Sequence, residues 1–362
     1  MKLRRFRACA FVAVLGWLVV GGAQCKGAAR GRAHFAGGAR AGGSVGASAA
    51  RCPGKKAHCK YFKAVCYEGY RDFQAPGGNE PTCEQVAADL TRIAAFTKAI
   101  RTYGSSLTEH DGKCIPALTD RLGLELYMGI WIDSSLSDAQ NFAAIDESIA
   151  AAQGHPSVKT LLVGNEYMLR ARKAFRDRDA AEKNLVRYIQ YARTKAPTGV
   201  AVVTAEAGPE WLDASRALFA AVDFVVWQAH PWWAGIGISQ AAAAVKTTHE
   251  RLLGVMKRVG VAKREVLGET GWPWSVRNGE AEGSESNQAQ YLRDMNRYSA
   301  AVGLEYWVFE AFDESWKNEE GPVGGAWGLW PANRDLPGRA VIAGLPNPPT
   351  KTSLIPAADM WP

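Results

Sequence analysis

Eight short apolar runs separated by amphipathic stretches of helical period extend from Phe62 to Ala311, and they constrain the fold more than any other feature of the chain. The runs read as strands at Phe62 to Tyr67, Ala99 to Tyr103, Leu124 to Ile132, Thr160 to Asn165, Val200 to Ala205, Phe224 to Gln228, Glu265 to Gly268 and Leu304 to Ala311. Helical stretches lie between them, among them Cys83 to Phe96, Asp138 to Gln153, Asp179 to Thr194, Glu210 to Ala221, Ser239 to Val259 and Ser286 to Val302. Eight strands alternating with helices predict an α/β fold of the (β/α)8 TIM-barrel type, a single domain for which 362 residues are ample. A doubly wound open sheet is the alternative. It is disfavoured because no Gly-x-Gly-x-x-Gly follows the first strand, and because eight strands suffice for closure.

In such a barrel the chemistry gathers where the strands end, so the residues there are the candidates. They include Tyr67, Glu68, Arg101, Tyr103, Trp131, Asp133, Asn165, Glu166, Glu206, His230, Glu269, Glu310, Asp313, Glu314 and Lys317. Two of them repeat a layout: Leu161 to Glu166 and Glu265 to Glu269 are each an apolar run ending at a glutamate. Two strands that stop at carboxylates can aim both groups at one point, which is the requirement for cleaving a glycosidic bond. The alternative for either glutamate alone is a solvated strand cap. The set contains no Ser/His/Asp arrangement, and only one of six histidines sits at a strand end, which argues against triad or metal-assisted chemistry.

Val163-Gly164-Asn165-Glu166, Gly268-Glu269-Thr270-Gly271-Trp272-Pro273 and the segment from Tyr306 to Lys317 resemble three signatures of glycoside hydrolase family 17, the β-1,3-glucanases and related glucanosyltransferases. The likeness extends to Ile100-Arg101-Thr102-Tyr103 and Trp327-Gly328-Leu329, covering about residues 60 to 332. The resemblance implies that Glu166 is the acid/base and Glu269 the nucleophile of a retaining mechanism, in which the two carboxyl groups stand about 5 to 5.5 Å apart. It also implies that Asn165 bonds the sugar 2-hydroxyl. Glu314 and Lys317 match acidic and basic residues that follow the eighth strand in that family. Lys317 then either keeps Glu269 ionised, bonds a sugar hydroxyl, or forms a structural ion pair. Glu310 reads as a buried hydrogen-bonding residue, and Glu206 as a binding residue or a cap. The first strand and Trp227-Gln228-Ala229-His230-Pro231 depart from the family pattern.

The chain holds 13 tryptophans, and pyranose rings present C–H faces that pack on indoles. Trp131, Trp227, Trp232, Trp233, Trp272, Trp274, Trp307, Trp316, Trp327 and Trp330 fall at expected loop positions, with core packing as the competing role. Trp232, Trp233 and Trp274 lie just beyond strands six and seven and are the first candidates for stacking. The expected substrate-binding set is therefore Asn165, Tyr67, Arg101, Tyr103, Trp131, His230, Trp232, Trp233, Trp272, Trp274, Glu314 and Lys317.

A basic start followed by an apolar run from Ala8 to Ala23 reads as an export signal over residues 1–23; the run of sixteen residues is short of the ~20 that span a bilayer. Cleavage, retention as an anchor and lipidation at Cys25 all stay open. Residues 24–57, rich in Gly, Ala and Arg, read as a disordered linker before a catalytic barrel at 58–362. Of 43 Lys and Arg and 36 Asp and Glu, residues 1–58 hold eleven bases and no acid, so the remainder carries −4. Nucleic-acid binding by the folded part is thereby disfavoured. Seven cysteines, Cys9, Cys25, Cys52, Cys59, Cys66, Cys83 and Cys114, predict disulfides in an exported chain, and the six beyond the leader allow 15 connectivities. No metal or cofactor is expected, since there is no Cys-x-x-Cys and no histidine pair at ligand spacing. The expectation is a secreted or cell-envelope monomer without stable membrane insertion, with β-glucan as its partner. Three activities remain open: hydrolase, transferase using the same two glutamates, or non-catalytic glucan binding.

Overall fold

The computed structural model of the protein describes residues 62–104, 114–174 and 176–339. Its strands are β1 (Phe62–Cys66), β2 (Thr97–Arg101), β3 (Glu125–Ile130), β4 (Val158–Asn165), β5 (Ala201–Ala207), β6 (Val225–Gln228), β7 (Glu265–Thr270), β8 (Arg277–Asn278), β9 (Ala281–Glu282) and β10 (Glu305–Val308). All strands but β8 and β9 form a closed parallel barrel in the order β1-β10-β7-β6-β5-β4-β3-β2, which bears out the expected fold. The short antiparallel pair β8–β9, which carries no long apolar run to announce it, projects after β7.

The helices are α1 (Cys83–Ala94), α2 (Cys114–Leu122), α3 (Asp138–Ala152), α4 (Tyr167–Lys173), α5 (Arg178–Lys195), α6 (Gly208–Leu212), α7 (Arg216–Ala221), α8 (Ile238–Arg258) and α9 (Glu285–Val302). Local chemistry starts several of them. Thr82 with Gln85 and Ser137 with Gln140 form reciprocal capping boxes at α1 and α3. The single helix expected over Glu210 to Ala221 is two helices, because the Ser215 side chain accepts from Ala217 N and opens a new one, while Glu182 takes the Ser215 N–H.

The strands are covered on both sides, and this is why they read as unbroken apolar runs. Inside the barrel Tyr127 of β3 and Trp307 of β10 stack at 4.7 Å between ring centroids, although their strands are not neighbours. Their contact plugs the interior, so the barrel is a packed core with its functional groups at one rim.

Of the cysteines, Cys83 and Cys114 form a disulfide between the first residues of α1 and α2, and Cys66 is a buried free thiol. Cys9, Cys25, Cys52 and Cys59, with the expected leader and linker, lie outside the described residues. Closing a loop of 31 residues constrains the unfolded chain by about 3–4 kcal/mol. Replacing both Cys83 and Cys114 with serine is expected to lower the unfolding free energy by that amount, read from the denaturant midpoint at an unchanged slope.

Candidate active site

Glu166 stands at the end of β4 as the residue before α4, with a left-handed backbone (φ 49°, ψ 34°). A side chain in that region costs about 1–3 kcal/mol, so the surroundings must hold it there. They do so on three sides. Glu166 N donates to Ala205 O at 2.7 Å, and its carbonyl accepts from Arg170 N at 2.9 Å. Glu206, fully buried at the end of β5, accepts from Tyr167 N and Met168 N, both at 3.0 Å, and so caps α4. Arg170 then ties the rims of β3 and β4 together, bonding Ile132 O at 2.6 Å, Asp133 Oδ2 at 2.8 Å and Asn165 O.

Glu269 comes from β7, between two glycines that the packing requires. A Cβ on Gly268 would lie 2.2 Å from Val226 Cγ1, and one on Gly271 would lie 2.0 Å from Phe309 O. The Glu269 carboxylate is buried and bonded at both oxygens. Arg101 Nη1 pairs with Oε1, to which Gln228 Nε2 donates at 2.7 Å, while His230 Nε2 lies 3.4 Å from Oε2. Asn165 joins the same network: its Oδ1 accepts from Arg101 Nη2 at 2.7 Å and from Gln228 Nε2 at 2.6 Å. With Oδ1 occupied, the amide nitrogen is the end left to meet a bound molecule.

These surroundings push the two carboxyls in opposite directions. Burial alone would raise Glu269, but the Arg101 guanidinium and the His230 contact outweigh it and hold Glu269 below the ordinary glutamate range. Glu166 is raised to about 7, first by burial and then by the negative charge of Glu269. At neutral pH one carboxyl is ionised and the other keeps a substantial protonated fraction, the division of labour that acid/base and nucleophilic roles need. Burial also lifts Glu206, to about 8, against the pull of Arg170 and the Met168 amide.

Arg101, Asn165, Glu166, His230 and Glu269 therefore gather at one point, and Tyr103 flanks them with the Arg101 guanidinium 3.6 Å from its ring centre. Trp131 is 37% exposed at the rim, with Arg170 4.2 Å above its ring. Trp233 and Trp274 keep partly exposed faces. Trp274 donates to Asp313 Oδ1 at 3.0 Å and lies under Arg339.

Other expected positions lie elsewhere. Tyr67 turns to the helical layer, where its hydroxyl meets Asp89 of α1 at 3.4 Å, because alternation along β1 sends Cys66 inward and Tyr67 outward. Trp272 is fully buried, its Nε1 bonded to Glu282 O at 2.9 Å and its ring tilted on Tyr291 at 5.5 Å. Trp232 is also buried, packed edge-on against Trp233 and Trp327. Glu314 and Lys317 form a buried cluster with Glu310: Lys317 Nζ stands 2.9 Å from Glu310 Oε2 and 3.1 Å from Glu314 Oε2. Of the roles open for Lys317 this is the structural ion pair, and Arg101 is the cation on Glu269. Glu206 is a cap.

Gln228 was missed as a site residue. Its signal was its place as the last residue of a strand, two before His230, on a segment noted only for departing from a pattern. Among the described residues no cluster of three or more His, Cys, Asp or Glu could hold a metal ion.

Residues 64–328 match the model of the BtgE/BtgC glycoside hydrolase domain. The chain belongs to that family. This bears out the resemblance to glycoside hydrolase family 17. Among curated relatives, the putative glucan endo-1,3-beta-glucosidase btgC of Aspergillus niger is 28% identical over 282 residues, 71% of this chain and 40% of the relative. The glucan endo-1,3-beta-glucosidase btgC of Emericella nidulans is 25% identical over 298 residues, 73% of this chain and 44% of the relative. The chain thus spans less than half the length of these BtgC proteins. Among solved structures, the glycoside hydrolase family 17 β-1,3-glucanosyltransferase from Rhizomucor miehei superposes with a TM-score of 0.63 at 24% identity, covering 75% of this chain and 94% of that one. An endo-laminarinase from Formosa superposes with a TM-score of 0.63 at 20% identity, covering 75% and 84%. These two likenesses concern the fold.

The charge coupling is directly testable. In Glu269→Gln the second cause of the Glu166 shift is gone while burial persists. A carbon-13 NMR titration of the glutamate carboxyls is expected to show Glu166 titrating below about 7 yet still above an ordinary glutamate. An unmoved Glu166 would mean that the two groups do not sense one another.

Proposed function

We propose that this chain is a retaining glycosidase that cleaves β-1,3-glucan through a covalent glycosyl-enzyme intermediate. The observation that carries the reading is the placement of Glu166 at the end of β4 and Glu269 at the end of β7 on one barrel mouth, with Glu269 held by Arg101, Gln228 and His230 and burial favouring the protonated form of Glu166. The names of the BtgC relatives, and a Rhizomucor miehei β-1,3-glucanosyltransferase mutant in complex with laminaritriose, whose fold is similar at a TM-score of 0.64, support the substrate class.

Glu269 is the nucleophile. Its Oε1 is engaged by Arg101 and Gln228, whereas Oε2 has only the 3.4 Å contact to His230, so Oε2 is the oxygen that attacks the anomeric carbon. Arg101 keeps the carboxylate ionised and, with Gln228, fixes its plane. Glu166 gives its proton to the departing glycosidic oxygen and afterwards, as the carboxylate, takes a proton from the water that releases the sugar. The Asn165 amide donates to the 2-hydroxyl of the reacting sugar. None of these steps calls for a cofactor. The disulfide and the leader-like N-terminus support action outside the cell.

A glucanosyltransferase would use the same intermediate with a sugar acceptor in place of water, a reading favoured by the fold shared with the Rhizomucor miehei protein. Incubation with a reduced linear β-1,3-gluco-oligosaccharide, followed by mass spectrometry beside a Glu269→Ala control, separates the readings. Shorter products alone are expected. Longer products assign the transferase, and bound but unchanged glucan in both samples would overturn catalysis.

Glu166→Ala is expected to lower kcat/KM on glucan by about 10²–10⁴-fold, and much less on an aryl glycoside whose leaving group needs no proton. The pH profile of kcat/KM should be a bell. Its alkaline limb falls near 7 as Glu166 loses its proton, and its acid limb lies below the ordinary glutamate value as Glu269 gains one.

A further inference from the structure

Phe73 is 96% exposed and left-handed (φ 65°), which is unusual on both counts for a large apolar side chain. It lies in the loop after β1, and that loop is well anchored. Arg71 N donates to the buried Gln74 side chain at 3.0 Å, Gln74 Nε2 reaches Gln85 Oε1 at 3.0 Å, and Ala75 N donates to Asn79 O at 3.2 Å. An anchored loop that holds an aromatic ring out into water presents the ring to something.

Beside Phe73 opens a cavity of about 470 Å³, lined also by Asp72, Gln74, Asn79, Ser315 and Trp316. Ser315 Oγ bonds Asp72 Oδ1 at 2.5 Å, which joins the loop after β1 to the segment after β10. The cavity stands on the β1 and β10 side of the rim that carries the proposed site, with the buried Lys317 between the two. The Lys317 ammonium lies 5.7 Å from the Trp316 ring centre and 5.9 Å from that of Tyr103, and Tyr103 stacks on Arg101, the partner of Glu269.

Topology sets which end of a glucan would reach it. An acid protonates the oxygen of the leaving half, so that half lies on the side of Glu166 and β4. In the barrel order, β10 stands directly across from β4, with β1 next to it. The half that becomes attached to Glu269 therefore extends toward the loops after β1 and β10.

Resting on the proposed glucan-cleaving reading, we infer that this cavity is a distal subsite on the glycone side, in which Phe73 and Trp316 pack a glucosyl ring and Asp72 and Asn79 take its hydroxyls. Two aromatic surfaces beside a carboxylate and an amide suit a neutral, hydroxyl-rich ring, and Asp72 disfavours an anionic ligand. The site makes the protein favour long chains over short ones.

The test is calorimetric titration of Glu166→Gln, which keeps the Arg101–Glu269 pair, with β-1,3-linked tri- and hexasaccharides, repeated with Phe73→Ala and Phe73→Asn added. In the parent the hexasaccharide is expected to bind about 5–20-fold more tightly than the trisaccharide, the scale of one or two ring contacts. In both double variants that ratio should fall to about one. Asparagine tolerates left-handed backbone, so the Phe73→Asn chain should melt no lower than its parent, which excludes unfolding as the cause. A ratio that survives both substitutions overturns the subsite and leaves the catalytic reading standing. Failure of both oligosaccharides to bind the parent overturns the β-1,3-glucan reading and the subsite with it.

Discussion

The ion pair between Arg101 and Glu269 is the interaction on which the site depends. Both groups are buried, and taking either out of water alone would be prohibitive, so each is tolerated only through the other and the hydrogen bonds that complete the pair. Gln228 and Asn165 supply those bonds and bring β2, β4, β6 and β7 to one point. Removing one partner of such a pair costs about 3–5 kcal/mol, mostly from the charge left behind. The same pair sets the chemistry: it keeps Glu269 ionised, and the ionised Glu269 helps keep Glu166 protonated.

A second device positions the acid. Glu166 occupies a backbone conformation that its own side chain disfavours, and the Glu206 cap on α4 together with the Arg170 ties across the rims of β3 and β4 makes that conformation the stable one. The two carboxyls thus rest on different supports, one electrostatic and one built from backbone hydrogen bonds. The buried Glu310, Glu314 and Lys317 cluster is a third unit, and through the contact of Glu68 with Glu314 it joins the segment after β10 to the loop after β1.

How far the site was legible in the chain follows from this arrangement. Glu166 and Glu269 were visible because the same layout, an apolar run ending at a glutamate, occurs twice; one strand-end glutamate alone is as readily a cap, as Glu206 is. Gln228 was not, since an uncharged side chain at a strand end carries no mark of the carboxylate it will touch. Tyr67 and Trp272 were misplaced for a related reason. Aromatic residues at strand ends look alike in a sequence, and only the alternation of faces sends Tyr67 to α1, while only the β8–β9 turn supplies the carbonyl that fixes Trp272.

The sequence by itself determined the eight strands, the closed fold and the two strand-end carboxylates, because apolar period and run length are local properties that parallel strands buried on both sides must display. Tertiary structure decided which cation faces which carboxylate, which indoles remain open to solvent, and that Phe73 stands beside a cavity shared with Trp316. Those depend on contacts between segments as distant as Arg101 and Glu269, whose partner choice is set by competing burial and charge terms that no single stretch of chain contains.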